Sequence, residues 1–286
     1  MTGDVESTLA EARAAFLDAC ELDVAARKPG NVSVASGGHG MDAGLFITAA
    51  KAAVEPLFAR GTSVGVRIEH AVAAARAATR CNVNLGIVLL CAPVAAARES
   101  ARGRAVATLR AALERVLQRL DVEDARAAFR AIAYANPGGL GRVARHDVHM
   151  APTIDLRSAM RAAADRDSVA RQYANGYADV FDVGLPVFGR VSSRLAPERA
   201  MLAAYLAYLR GWPDSHVARK HGLAVARALS VEAAHKCAHE GGDDLGLRPE
   251  EIAAWDADLK SRGLNPGTSA DLTVVTAFVA RLTDDP

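Results

Sequence analysis

Apolar residues recur every three to four positions in stretch after stretch of this chain, and no segment sustains an alternation of apolar and polar residues. Met41, Leu45, Phe46, Ala49, Ala50, Ala53, Val54, Leu57 and Phe58 trace one face of a helix. Val106, Leu109, Leu113, Val116, Leu117 and Leu120 trace another, with Arg110, Glu114, Arg115 and Arg119 as its polar complement. Leu202, Tyr205, Leu206 and Leu209 form a third, and Leu272, Val275, Phe278, Val279 and Leu282 mark a last helix. Thr8 to Glu11 reads as a capping box, and Asp121 is placed to cap a later helix. The run from Val83 to Ala97 reads as a buried core helix; it is too short to span a bilayer and carries Asn84 and Pro93. Without alternating β-branched runs no strand is predicted. The pattern predicts an all-α fold, a single multi-helix, orthogonal bundle-like domain over residues 1–286 with functional Gly-rich loops.

Hydrophobic residues make up 51% of the 286, enough for a sizeable core. The formal net charge of +1 gives no global field that would recruit nucleic acid or a membrane, so an anionic ligand must be held by a local cluster. The start, MTGDVESTLAEAR, has neither the basic residues nor the apolar run of a signal peptide. Cys20, Cys81, Cys91 and Cys237 show no zinc or disulfide spacing, which suits reduced thiols in a cytoplasm. Whether the chain forms a homo-oligomer is left open.

The breaks between helices hold the candidate chemistry. KPGNVSVASGGHG (28–40) and NPGGLGRVARHDVHMAPT (136–153) are long loops that mix Gly with charged and apolar residues, unlike flexible linkers. Lys28, Gly30 and Asn31 sit at a helix exit, where a Lys beside exposed backbone N–H groups suits phosphate; Lys-Pro-Gly is also simply a common way to end a helix. His39 and Asp42 stand at the next helix start, where Asp42 either caps the helix or coordinates a metal or sugar hydroxyl. Asn82, Asn84 and Gly86 precede the apolar helix, whose N-terminus suits an anion or is merely capped by Asn. Asp214, Ser215, His216, Arg219 and Lys220 offer cations for phosphate oxygens, and Arg145, His146, Asp147 and His149 form a second polar cluster. Asn265, Gly267, Ser269 and Asp271 lead into the final helix, with Ser269 reading as its N-cap. His235 and His239, beside Glu232 and Glu240, lack a third metal ligand and read as a polar surface face. No Walker loop, nucleophile elbow or Rossmann fingerprint is present.

Taken in order, KPG…H-x-M-D, N-x-N-x-G, D-S-H…R-K-x-G and NPG-x-SAD resemble the triphosphoribosyl-dephospho-CoA synthase family, from about residue 10 to the end. The resemblance implies an all-helical transferase that takes ATP and 3′-dephospho-CoA. The 2′-hydroxyl of the acceptor ribose attacks the anomeric carbon of ATP, adenine leaves, and a triphosphoribosyl group is transferred. It implies Mg²⁺ beside the triphosphate and small-molecule nucleotide and cofactor-precursor substrates. On that reading Lys28, Arg219 and Lys220 clamp the triphosphate, and Asp42, Asp214 or Asp271 serves the reacting sugar and hydroxyl. Asp42 or Asp214 holds the metal, and Asn82, Asn84 and Asn265 fix ribose or phosphate. The chain departs from the family where N-T-H-K-G is replaced by Asn82-Val83-Asn84-Leu85-Gly86, and where D-T-N becomes Asp214-Ser215-His216. Residues 146–181 resemble a branch associated with methanopterin-type one-carbon cofactor synthesis, so ribosyl-phosphate transfer to a ribitol chain is an alternative. A non-catalytic helical nucleotide-binding or scaffold protein is a third, which the density of polar residues in the long loops argues against.

Overall fold

The computed structural model describes residues 2–139, 141, 147–237 and 247–284, with side chains from residue 8. These residues form fourteen α-helices and no strand. The first six are α1 (Thr2–Ala25), α2 (Ala43–Leu57), α3 (Val64–Thr79), α4 (Leu85–Ser100), α5 (Val106–Gln118) and α6 (Val122–Ala135). Two short helices follow, α7 (Leu156–Arg161) and α8 (Ser168–Asn175), and then a π-helical turn (Val180–Gly184) that leads into α9 (Leu185–Ser192). The chain ends with α10 (Pro197–Gly211), α11 (Ser215–His221), α12 (Leu223–Lys236), α13 (Pro249–Ser261) and α14 (Gly267–Leu282). None of the described helices is long and apolar enough to cross a membrane.

Three helices are buried nearly all round, because their sequences are apolar, aromatic or small on every face. They are α4, buried from Ile87 through Ala95, α10, buried from Ala200 through Leu209, and α14, buried from Leu272 through Val279. Around α14 pack α1, α4, α9 and α10; around α4 pack α1, α2, α3 and α5. Phe16 of α1, Phe58 after α2 and Phe278 of α14 meet edge to face with ring centroids 5.9–6.0 Å apart, joining three elements distant in sequence. The periodic residues read from the sequence fall on the inward faces of α2 and α5, where Ala49, Ala53, Leu57, Leu109, Leu113 and Leu117 are buried, and within α10 and α14, which are buried on every side. Asp121 caps α6 as expected, accepting from the amides of Glu123 and Asp124 at 2.8 and 2.9 Å. The capping box at Thr8 is not one: α1 already runs from Thr2, so Thr8 lies inside a helix.

Pro93 explains how α8 is held. Its missing N–H leaves the Leu89 carbonyl without the usual partner one turn back, in the middle of a buried helix. The Tyr173 hydroxyl donates to that carbonyl at 2.6 Å, and the Tyr177 hydroxyl donates to the neighbouring Leu90 carbonyl at 2.8 Å. Both phenols are fully buried, and burial pushes their ionisation far above the ordinary range. Tyr173→Phe keeps the ring and leaves the Leu89 carbonyl unpaired. It is expected to lower stability by about 1–3 kcal/mol, read as a lower urea midpoint at an unchanged slope. An unchanged midpoint would show that the carbonyl finds another donor.

The first Gly-rich loop is folded tightly rather than loosely. It carries two isolated bridges, Ser33 to Ser36 and Gly38 to Met41. Gly30, at φ +80°, donates its amide to Asp256 of α13 at 2.9 Å, and a Cβ there would come within 2.7 Å of the Leu264 carbonyl. Tyr205 of α10 donates to the Pro29 carbonyl at 2.6 Å, and Lys260 of α13 to the Ser36 carbonyl at 2.9 Å. The loop is thereby fixed as one wall of the cleft described next.

Candidate active site

A cavity of about 750 Å³ opens between the first loop, the N-terminus of α4, the chain after α6, helices α7, α8 and α11, and the N-terminus of α14. Its size falls in the range of small-molecule sites. The loops and helix starts singled out in the sequence converge on it. Asn31, His39, Asn82, Asn84, Gly86, Ser215, His216, Arg219, Lys220, Asn265, Gly267 and Asp271 all line it.

Five expected site residues do not line it, and each has a physical reason. Lys28 is fully enclosed; its ammonium pairs with the Asp23 carboxylate at 3.0 Å and donates to the Asp23 and Ala26 carbonyls. A cation held in this way inside the protein cannot also meet a phosphate. Gly30 serves the loop contacts given above. Asp42 is exposed and caps α2, accepting from the Leu45 amide at 3.2 Å. Asp214 is buried and spent: it accepts from the amides of His216, Val217 and Ser269 at 2.9, 3.0 and 2.7 Å and from the Ser269 hydroxyl at 2.8 Å. With four donors on two oxygens it has no lone pair free for a metal or a proton, and it acts as a clasp between α11 and α14. Ser269 is therefore not an N-cap but the third residue of α14, whose cap position is Pro266.

On the floor of the cavity stands Asp271. A Cβ on Gly86 would overlap its carboxylate, so the first turn of α4 and this acid lie in direct apposition. Asp271 makes no hydrogen bond or ion pair among the described residues. Burial pushes its pKa well above the ordinary carboxylate value, the charges of Asp23 and Asp214 push it further, and Arg219 pulls it back. Asp23, which the sequence reading passed over, also lines the cavity at 4% exposure. Burial raises its pKa, and Lys28 opposes that shift. The signal for it was an acid in the last turn of α1 between Leu22 and Val24, both buried.

His216 faces the same space as a neutral ring. Its pKa falls to about 3, first through burial and then through the charges of Lys220 and Arg219. Its Nε2 is buried without a partner, and a Cβ on Gly267 would come within 2.7 Å of Nδ1. Asn31 donates to Asn265 at 3.0 Å, tying the first loop to the start of α14, and His39 shares a 2.9 Å hydrogen bond with the Gly30 carbonyl. The Ser215 hydroxyl accepts from the Ser168 amide at 2.7 Å and sets α8 against α11. Arg219 pairs with Asp167 at 3.2 Å, and Lys220 is exposed at the rim with no ion pair among the described residues. Arg171, another lining residue that the sequence did not flag, pairs with Asp179 at 2.7 Å and lies 4.3 Å from the Trp212 ring centroid.

In the second Gly-rich loop Asn136, Pro137, Gly138, Gly141, Asp147 and Val148 reach the cavity. Arg145 and His146 lie outside the described residues, as do His239 and Glu240. All four cysteines are free. Among the described residues no three His, Cys, Asp or Glu side chains converge as a metal cage.

The chain as a whole is similar to known proteins. Residues 9–285 match the family model described as ATP:dephospho-CoA triphosphoribosyl transferase. A stretch of 106 residues is 30% identical to the 2-(5''-triphosphoribosyl)-3'-dephosphocoenzyme-A synthase of Escherichia fergusonii, covering 37% of this chain and 35% of that protein. A stretch of 109 residues is 32% identical to the protein of the same description from Klebsiella pneumoniae, with the same two coverages. The match to these curated relatives thus spans about a third of their length. A solved candidate triphosphoribosyl-dephospho-CoA synthase from Archaeoglobus fulgidus superposes with a TM-score of 0.63 over 83% of this chain and 96% of that one, at 23% identity, a likeness of fold.

Proposed function

This chain belongs to the ATP:dephospho-CoA triphosphoribosyl transferase family, and we propose that it transfers a triphosphoribosyl group from ATP to a hydroxyl of 3′-dephospho-CoA with release of adenine. The observation that carries the reading is Asp271, a half-buried carboxyl on the cavity floor with no partner among the described residues and a raised pKa. Structural acids in this chain, such as Asp121 and Asp214, are consumed by caps and clasps. An acid left unconsumed in a cavity is available to a reacting group.

The residues divide the chemistry. Arg219 and Lys220, at the end of α11, receive the triphosphate. Asp271, protonated in the free site, gives its proton to a ring nitrogen of adenine as the bond to the anomeric carbon breaks. The carboxylate so formed lies beside the electron-poor sugar carbon and favours it electrostatically. The acceptor hydroxyl then forms the new C–O bond, and its proton returns to Asp271, so adenine leaves neutral and the enzyme is restored. Neutral His216 and the amides of Asn31, Asn82 and Asn265 orient ribose hydroxyls without adding charge.

Mg²⁺ is expected to accompany a triphosphate. Asp42 and Asp214 do not fit it, the first being outside the cavity and the second fully hydrogen-bonded. The phosphates and water would have to supply most of its ligands. A second reading, transfer to the ribitol chain of a methanopterin-type precursor, is favoured by the uncharged Asn84 and Leu85 at the start of α4.

The test is free adenine, measured by chromatography after incubation with ATP and Mg²⁺, with and without 3′-dephospho-CoA. Adenine that appears only with this acceptor supports the reading. Adenine that appears only with a ribitol acceptor moves it to the second. None with either, from folded protein, removes both. Lys220→Ala is expected to raise the KM for ATP several-fold at nearly unchanged kcat, because a rim cation binds ground and transition states alike. An unchanged KM would place the triphosphate elsewhere.

A further inference from the structure

We propose that Asn84 reads the exocyclic amino group of an adenine held against an apolar wall at the start of α4, an inference that rests on the nucleotide-transfer reading above. The orientation of the Asn84 amide is fixed by its surroundings. Its Nδ2 donates to the Phe46 carbonyl at 2.9 Å, and a carbonyl can only accept, so the amide cannot be turned round. Oδ1 is then the other end, and it is an obligate acceptor. The residue is 6% exposed, lines the cavity, and its Oδ1 is buried without a partner. Its backbone sits at φ +63°, in the left-handed region, with no side-chain cap bond to α4. The amide is therefore not engaged as a helix cap, although Asn ahead of a helix usually is.

The missing partner must be a donor, which excludes phosphate, carboxylate and carbonyl groups at this point. Apolar side chains lie next to Asn84: Val83, which precedes it, packs with Met41 and Phe46, and these three and Leu85 line the cavity, with Asp271 set against Gly86 one step further along the turn and Arg219 and Lys220 on α11. Apolar faces with one hydrogen-bond acceptor at the edge suit a flat heterocycle carrying an amino group. Adenine has that form. An oxo group in the same place would set oxygen against oxygen. The base can be that of the donor nucleotide or that of the acceptor, since both ATP and 3′-dephospho-CoA carry adenine.

Equilibrium titration separates these sources without requiring turnover. The wild-type protein is titrated with ATP and ITP, and with 3′-dephospho-CoA and its inosine counterpart, in which the amino group is replaced by oxygen. One pair is expected to show a preference of about tenfold or more for the amino form, since an unpaired polar group at a dry site is strongly rejected. That pair names the base. In Asn84→Gly, which tolerates the positive φ and deletes the amide, the same ratio falls to within about twofold; a melting curve checks that the variant is folded. A wild-type ratio within about twofold for both pairs overturns the inference. So does a preference that persists undiminished in Asn84→Gly. Amino selectivity without adenine release would keep the inference and remove the transfer reading, whereas adenine release without selectivity would do the reverse.

Discussion

Asp271→Asn lowers kcat for adenine release by about 10²- to 10⁴-fold, the usual contribution of a positioned acid or base, and leaves the KM for ATP within a few-fold. The side chain keeps its shape and loses only the proton that can be given and recovered. The pH dependence follows from the direction of the shift. The acid form is the active one, and its pKa is raised by burial and by Asp23 and Asp214, so kcat/KM falls as pH rises through that value. In the variant this descending limb disappears. Stability follows pH in the same direction, but the substitution changes it in the opposite sense to activity. A carboxyl whose folded pKa lies above its unfolded value contributes stability that is fully present below about pH 4 and is lost as pH rises through the folded pKa. Near neutral pH the unfolded chain ionises this carboxyl while the folded protein holds it protonated, a cost to folding that the variant does not carry, and the Asp271→Asn protein melts at a higher temperature. A lower activity together with a higher melting point is the signature of a functional acid. An equal loss of both would mark Asp271 as structural.

Lys28→Met is expected to cost about 3–5 kcal/mol of stability, because it leaves the Asp23 carboxylate buried and unpaired and strips the Asp23 and Ala26 carbonyls of a donor. The double change Asp23→Asn with Lys28→Met should recover part of that loss, since no buried charge is then left alone. Urea denaturation measures both. A stable Lys28→Met protein with a raised KM for ATP would restore Lys28 to the phosphate site from which its burial removes it.

These two residues mark where the sequence stops being legible. The surrounding scaffold is local information. α4 is apolar nearly all round and reads as a buried core helix, α2 and α5 show one-sided faces that do pack inward, and α14, read only from its periodic residues, proves to be buried on every side. The cavity walls were legible too, since Gly-rich breaks and helix starts with polar residues are local patterns. What the side chains do there is settled by partners far away in sequence. Asp214 looked like a catalytic acid until Ser269, 55 positions on, took its second oxygen. Lys28 looked exposed because its spacing of five from Asp23 falls past the end of α1, where helical pairing rules no longer apply. The π-helical turn at Val180–Gly184 had no signal beyond Gly184, at which a Cβ would overlap the Tyr208 hydroxyl. Asp271 was named from its motif, but its place in the cavity and its lack of a partner among the described residues are what distinguish it from Asp42 and Asp214.

The central claim is that a sugar-phosphate unit leaves adenine and arrives on an acceptor. Mass spectrometry of 3′-dephospho-CoA after incubation with ATP, Mg²⁺ and protein tests it directly. The account predicts a gain of one triphosphoribosyl unit with wild-type protein and, over the same time, almost none with Asp271→Asn. An unmodified acceptor after incubation with folded wild-type protein, or an adduct formed equally fast by the Asp271→Asn protein, would contradict it.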